Sequence, residues 1–413
     1  MRDTTLQTTR RTFLSGTLAA LSLGWAPARA QSTDGPRFLV VQASGGWDPL
    51  AVFAPLYDTR SVDMEPGTDR LSIGNLSLVD GPGRPAARSF FERHYRRTLI
   101  LDGVAARSVN HETCSAVVLT GGTSDDRPDF TTLLAHGARD RYDLPHIAIS
   151  GPVFPGEYGV LVSRAQGALS PLVRGDLAAQ AVPAVGRLPE AVGRRVDHFV
   201  EQRVQAVLQG HPESPHARDL AEGWSRARRL IDDSANFDIQ FSPTLAGRAE
   251  TAIGALADGL CRCATIDTGF VWDTHIDNSD QAPQFQSLFA ALDQIVDRLD
   301  TTPGPSGAPL SSDTVLVVLS EMARTPIYNG TGGRDHWPFT TMMLLGPGLK
   351  GDLQAGGYTP DFRGIGIDPT SGQLDPSRAG ISTADIAATL LALGGMDPGA
   401  FLPGSQPLTG LFA

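Results

Sequence analysis

Cysteine is scarce: the 413-residue chain has three, Cys114 and the Cys261-x-Cys263 pair. Three thiols cannot build a disulfide framework, a one-residue spacer is too tight for an unstrained local bridge, and no second pair completes a zinc knuckle. All three therefore read as structural. Aromatic residues are few, at 7%, and positive charge is outnumbered: 34 Lys and Arg against 45 Asp and Glu leave a net charge of −11. Such a chain offers no basic footprint for nucleic acid and no polybasic patch for anionic lipid. Long apolar runs are lacking too. The stretch from Thr17 to Trp25 falls short of the about 20 residues a bilayer span requires, and no other stretch approaches that length.

What is present is the composition of a globular protein with substantial loops: 41% hydrophobic residues, 45 Gly and 30 Pro. The short N-terminal apolar stretch follows the adjacent Arg10 and Arg11 and leads to a small-x-small ending at Ala28 and Ala30. This pattern predicts a twin-arginine export signal over residues 1–30, cleaved after Ala30, which delivers a protein to the periplasm or beyond with no transmembrane segment left. Because that route carries folded proteins, a metal or other cofactor can be loaded before export.

Along the mature chain, apolar runs alternate with helical patterns. "FLVVQASGG" (38–46) is a buried strand closed by a glycine turn, and "TLILDG" (98–103), "HIAIS" (146–150), "TVLVVLS" (314–320) and "FTTMMLLG" (339–346) read the same way. Helices are expected near 86–97, over "HETCSAVVLTGG" (111–122), over 285–299 and at 382–395. The alternation predicts an α/β fold, a mostly parallel central sheet with helices on both faces. Residues 151–245 break the rhythm, Pro- and Gly-rich at first and then polar and helical from Val192 to Ile231. They read as an inserted helical cap on a core formed by 36–150 and 246–413.

In an open α/β sheet, ligands bind outside the carboxyl ends of the strands, so the residues just after each apolar run are the site candidates. Asp48 follows the first strand and His111 opens the helix after the second. Asp273, His275 and Asp277 lie in the loop "GFVWDTHIDN" (269–278), Glu321 caps the strand 314–320, and Asp335 and His336 end the next loop. Three of the nine His thus sit beside acids at strand ends. Carboxylate oxygens with imidazoles, and no thiolates, suit a divalent cation such as Zn, Mn, Mg or Ca. Asp277, just before Asn278, suits a turn or helix start better than a ligand. His94, His198, His211 and His216 fall in polar helical stretches and are expected to be solvated.

Five strings occur in a telling order: "GGWDPL", "VNHETCSAVVLTGG", "FVWDTHIDN", "LSEMART" and "GGRDHWP". In this the chain resembles a family of twin-arginine-exported, sulfatase-related bacterial proteins, similar in turn to the alkaline-phosphatase-like superfamily. The resemblance covers most of the mature chain and is weakest over 151–245. It implies an alkaline-phosphatase/sulfatase-like fold and one or two metals that polarise a sulfate or phosphate ester. By position, Asp48, Asp273, His275, Glu321, Asp335 and His336 would be the metal ligands. Arg324 would clamp an anionic ester oxygen, and His111 stands where that superfamily places a Ser, Thr or modified Cys nucleophile. Glu321 followed by Met322 replaces an expected Asp-His pair.

Two readings stay open. Either this is an exported hydrolase of a small-molecule or polysaccharide sulfate or phosphate ester, with His111 as ligand or base and a metal-activated water attacking, or it is a non-catalytic, metal-stabilised binding or assembly protein of the cell envelope. A dinucleotide oxidoreductase would need G-x-G-x-x-G after the first strand, which "ASGGWDPL" lacks, and no G-x-S-x-G string follows a strand.

Overall fold

A computed structural model describes residues 35–164, 190–233 and 242–413. The expected export signal, residues 1–30, and part of the expected cap lie outside the described residues. In chain order the elements begin with β1 (Arg37–Gln42), the hairpin β2 (Asp69–Ile73) and β3 (Leu76–Asp80), α1 (Pro85–His94), β4 (Thr98–Ala105), α2 (His111–Thr120) and α3 (Phe130–His136). Next come β5 (His146–Ala148), β6 (Val162–Arg164), α4 (Glu190–Gly210), α5 (Pro215–Asp233), α6 (Leu245–Ala257), β7 (Cys263–Asp267) and α7 (Gln281–Thr301). The chain closes with β8 (Thr314–Leu319), β9 (Ala323–Arg324), β10 (His336–Trp337), β11 (Phe339–Leu345), β12 (Leu353–Tyr358), β13 (Gly364–Ile367), β14 (Leu374–Asp375), β15 (Ile381–Ser382) and α8 (Thr383–Leu393).

The central sheet is mixed and mostly parallel. β1 lies between β7 and β8, parallel to both, with Leu39 opposite Ala264 on one side and Leu316 on the other. β5 and β6 extend the β7 side in parallel. On the β8 side, β11 runs antiparallel between β8 and β4, and β12 and β15 then pair parallel to β4. β6 falls within 151–245, so that segment contributes an edge strand to the sheet as well as helices α4 and α5. β1 and β8 are buried on both faces, which is why they read as unbroken apolar runs.

Side chains alternate across β1, so its two faces supply two cores. Phe38 and Val40 pack with Val118 of α2, Leu134 of α3 and Leu390 of α8. Leu39 and Val41 pack on the opposite face with Phe90 of α1, Ile253 of α6 and the α7 stripe Phe285, Leu288, Phe289 and Leu292, whose three- and four-residue spacing puts them on one helical face. The second core also anchors the functional loops. Trp47, beside Asp48, and Trp272, beside Asp273, both pack on Phe285, with ring centroids 5.9 and 4.9 Å away. Truncating a fully buried Phe such as this one typically costs about 3–5 kcal/mol, and here it would also loosen both loops.

One expectation is corrected: His94 is not solvated but buried in α1, its Nε2 2.8 Å from Asp293 of α7. In the C-terminal part of the sheet, β12 and β13 had no sequence signal because they are glycine-rich, and β14 and β15 had none because they are only two residues long. A Cβ on Gly364 or Gly380 would lie 2.5 Å from the Gly103 carbonyl of β4, so close backbone packing replaces the usual side-chain alternation there.

Candidate metal centre

The site forms where β1, β7 and β8 end, and it is built around a buried guanidinium. After β1 the chain turns through Gly45 (φ 119°) and Gly46 (φ 83°), a left-handed path that side chains disfavour. This turn presents its carbonyls to Arg324 of β9: Nε donates to Gly46 O at 2.8 Å and Nη2 to Gly45 O, while Nη1 donates to Arg334 O at 3.3 Å. A Cβ on Gly46 would stand 3.0 Å from that guanidinium. Nη2 also donates to Asp273 Oδ1 at 2.7 Å. Arg324 is fully buried, so it holds Asp273 and the glycine turn and is not available to clamp a substrate, which corrects the role expected of it.

Four side chains converge above this layer. His111 is the first residue of α2, whose N-cap Asn110 accepts from Thr113 N. Its Nδ1 lies 2.8 Å from Glu321 Oε1 and its Nε2 3.5 Å from Asp273 Oδ2. His275 points its Nδ1 at Asp335 Oδ1 (2.9 Å) and its Nε2 at Asp273 Oδ1 (3.1 Å). His336 points its Nδ1 at the Val109 carbonyl (2.7 Å) and its Nε2 at Asp273 Oδ1 (3.1 Å). The two Nε2 atoms of His275 and His336 are 2.9 Å apart.

The tautomers follow from the partners. A carbonyl and ionised carboxylates only accept, so each Nδ1 carries the proton and each Nε2 turns a lone pair inward. Two lone pairs 2.9 Å apart repel unless a cation lies between them. Two metal–nitrogen bonds of ~2.0–2.1 Å would hold the nitrogens roughly 2.9 Å apart at a right angle and about 3.3 Å apart at a tetrahedral one, so the observed separation is at the short end of what a shared cation requires. Donor atoms of His111, Asp273 and His336 all lie within 4.8 Å of one another. Imidazoles backed by carboxylates or a carbonyl are the usual outer support of a metal centre, so this donor set fits a divalent cation.

Charge is arranged accordingly. Burial pulls the Asp273 carboxyl upward, but the hydrogen bond and positive charge of Arg324 outweigh it and hold it down at about 2. The hydrogen bond to Glu321 raises the His111 imidazole above its usual range against the opposing effect of burial. Asp335 is lowered chiefly by its hydrogen bond with His275.

Of the residues anticipated as ligands, Asp273, His275 and His336 come together as expected, joined by His111. Glu321 and Asp335 lie behind imidazoles: Glu321 also accepts from Gly45 N at 2.8 Å. Asp48 does not join them, a correction to its expected role. Its Oδ1 caps Leu50 N (3.0 Å), its Oδ2 accepts from Asn278 Nδ2 (2.9 Å) and lies 3.3 Å from Arg334 Nε, and the side chain is buried. It lines a separate cavity of about 190 Å³ together with Glu65, Tyr328 and Arg334. Asp277 caps Ser279 N, as a turn residue should. Thr113 and Cys114 are not free nucleophiles: the Thr113 hydroxyl donates to Asn110 Oδ1, and burial pushes the Cys114 thiol up to about 11.

Sequence reasoning missed the supports of the 273–278 loop. Asn329 Nδ2 and Thr331 Oγ1 donate to the His275 carbonyl at 2.8 and 3.0 Å, and a Cβ on Gly333 would fall 2.1 Å from that oxygen. Gln281, buried at the start of α7, ties Asp48 N to Trp272 O. The glycine density of "NGTGGRDH" was the available signal for such a close approach.

Comparison with known proteins adds the following. A family described as "Protein of unknown function (DUF1501)" matches residues 243–408. No curated protein matches. Among solved structures, the chain is similar to a candidate sulfatase of Bacteroides thetaiotaomicron (10% identity, TM-score 0.43, covering 91% of this chain and 74% of that one). It is also similar to a lipoteichoic acid synthase of Listeria monocytogenes (11%, 0.39, 91% and 75%) and to a protein in the alkaline phosphatase superfamily from Vibrio parahaemolyticus (9%, 0.38, 88% and 67%). Likenesses this distant carry no argument about chemistry, which rests on the side chains described above.

Proposed function

We propose that this protein is an exported, metal-dependent hydrolase of a sulfate or phosphate ester. The observation that carries the reading is the convergence of three imidazole Nε2 atoms on the Asp273 carboxylate, each Nδ1 being held by Glu321, Asp335 or Val109 O. His111, Asp273, His275 and His336 would hold the metal. When bound, a divalent cation polarises an ester oxygen and promotes attack by water. Arg324 fixes the orientation of Asp273, and Glu321 and Asp335 fix the ring planes of His111 and His275. The free amide groups at the start of α2 add a field favourable to an anionic ester.

Export is part of the same proposal. Arg10, Arg11 and the small residues to Ala30 support the twin-arginine route and a periplasmic or secreted destination, and among the described residues no helix is long and apolar enough to cross a membrane.

A second reading, a metal-stabilised binding or assembly protein of the cell envelope, draws on two observations: Arg324 is wholly engaged inside the protein, and neither Thr113 nor Cys114 is a free nucleophile beside His111. One experiment separates the two. Protein loaded in turn with Zn, Mn, Mg and Ca is assayed on p-nitrophenyl sulfate and p-nitrophenyl phosphate beside His336→Ala. The hydrolase reading expects metal-dependent turnover that falls at least 100-fold in the variant. Stoichiometric metal binding without turnover under all four metals supports the binding reading.

A further inference from the structure

Outside α4 and α5, the exposed large apolar side chains among the described residues are Val109, Val271, Ile276, Ile327 and Leu374. Single exposed aliphatics are ordinary on protein surfaces, but their concentration is not. Four of these five belong to the site. Val109 stands two residues before His111 and its carbonyl holds His336. Val271 stands two residues before Asp273, and Ile276 directly follows His275. Ile327 gives its carbonyl to Thr325 Oγ1, which in turn accepts from Asp335 N. Val271 and Ile276 are 74% and 75% exposed, more than any other apolar side chain in that group.

An ester that puts its anionic group into the His–Asp cluster leaves its alcohol portion outside it, and the loops that carry the cluster are the ones that expose these aliphatic side chains. The aromatics of those loops offer little to a sugar: Trp272 is buried, Trp337 is half-buried and stacked on Phe362, and Tyr328 is half-buried with the Arg334 guanidinium 4.2 Å from its ring centre. Nor do those loops suit a polyanion, since Glu112, Asp277 and Asp335 are exposed around them and the whole chain carries −11.

We propose that the preferred ligand is a monoester of an aliphatic alcohol, its charged head on the His111–Asp273–His275–His336 group and its hydrocarbon portion on Val109, Val271, Ile276 and Ile327. This inference rests on the ester-hydrolase reading above but is tested by binding, so the two can fail separately. Apolar contact is additive along a chain, each buried methylene adding to affinity, so chain length is the diagnostic variable.

The experiment is calorimetric titration of the zinc-loaded full protein with ethyl sulfate, hexyl sulfate, hexyl phosphate and glucose 6-sulfate, repeated with the double variant Val271→Ser/Ile276→Ser and with Leu374→Ser as the remote control. We expect a hexyl ester to bind at least tenfold more tightly than ethyl sulfate and glucose 6-sulfate. The double variant should collapse that ratio toward one, and Leu374→Ser should preserve it. Equal affinity for ethyl and hexyl esters, or an unchanged ratio in the double variant, overturns the proposal. So does a change from dimer to monomer in the double variant with the ratio unchanged, which would make these side chains an interface between copies. Chain-length-dependent binding without hydrolysis of any ester upholds this inference and sinks the hydrolase reading. Hydrolysis of ethyl and hexyl esters with equal KM does the reverse.

Discussion

Asp48 and Asp273 look alike in the sequence, each a lone acid just after a Trp at the end of an apolar segment, and the structure gives them opposite fates. Asp48 is turned inward. Its oxygens are shared among Leu50 N, Asn278 and Arg334, and the side chain is sealed from solvent. Asp273 is also held by a buried arginine, Arg324, yet its carboxylate stays open to three imidazoles. The same pairing of Trp, Asp and Arg therefore makes a structural brace in one loop and, in the next, a carboxylate open to three imidazoles. What separates them is the surrounding hydrogen-bond supply: amide and arginine groups saturate Asp48, whereas Asp273 is left short of donors on the side where His111, His275 and His336 converge.

The sharpest way to break this comparison is to truncate both acids. Asp273→Ala should lower metal affinity by at least a thousandfold in a competition titration, because it removes the one anionic donor shared by all three imidazoles. Asp48→Ala should keep its metal. Next in size is Arg324→Met, which leaves the Gly45 and Gly46 carbonyls and Asp273 without their common donor. It should destabilise the metal-free protein by about 3 kcal/mol in urea unfolding, toward the low end for a broken buried pair because Asp273 is partly exposed. Glu321→Gln should retain metal but bind it about 10- to 100-fold more weakly, since only the support behind His111 changes. An unchanged affinity would mean that His111 is not a ligand.

How much of this could be read from the sequence depends on what each signal encodes. β1 and β8 were legible because burial on both faces demands unbroken apolar runs, and α7 because its stripe repeats at helical spacing. The glycine-rich strands β12 and β13 carry no such signal. Strand-end logic named residues that the fold brings together, including His111, Asp273, His275 and His336. It could not say which way each side chain faces, so it counted Asp48 as a ligand and Arg324 as a clamp. Those roles depend on the path of the Gly45–Gly46 turn and on the loop from Asn329 to Arg334, both set by contacts between residues far apart in the chain.

A third buried acid gives the smallest test. Asp102 of β4 has no cation beside it, only Gln354 and Thr341 as donors, and burial raises its carboxyl to about 6 from 3.8. The folded state thus holds this proton more tightly than the unfolded chain. Its contribution to stability is complete below about pH 4 and is lost as pH rises through 6. Asp102→Asn should therefore flatten that part of the profile. Relative to wild type, the variant should gain more at pH 7.5 than at pH 4.5, by no more than roughly 3 kcal/mol, as read from urea midpoints at the two pH values.

The central claim is tested most directly by a crystal structure of the protein grown with zinc and measured on both sides of the zinc absorption edge. The account predicts one strong anomalous peak within bonding distance of His111 Nε2, His275 Nε2, His336 Nε2 and Asp273, with Glu321 and Asp335 still hydrogen-bonded behind the rings. A peak beside Asp48, or none at these imidazoles when the protein is saturated with metal, would contradict it.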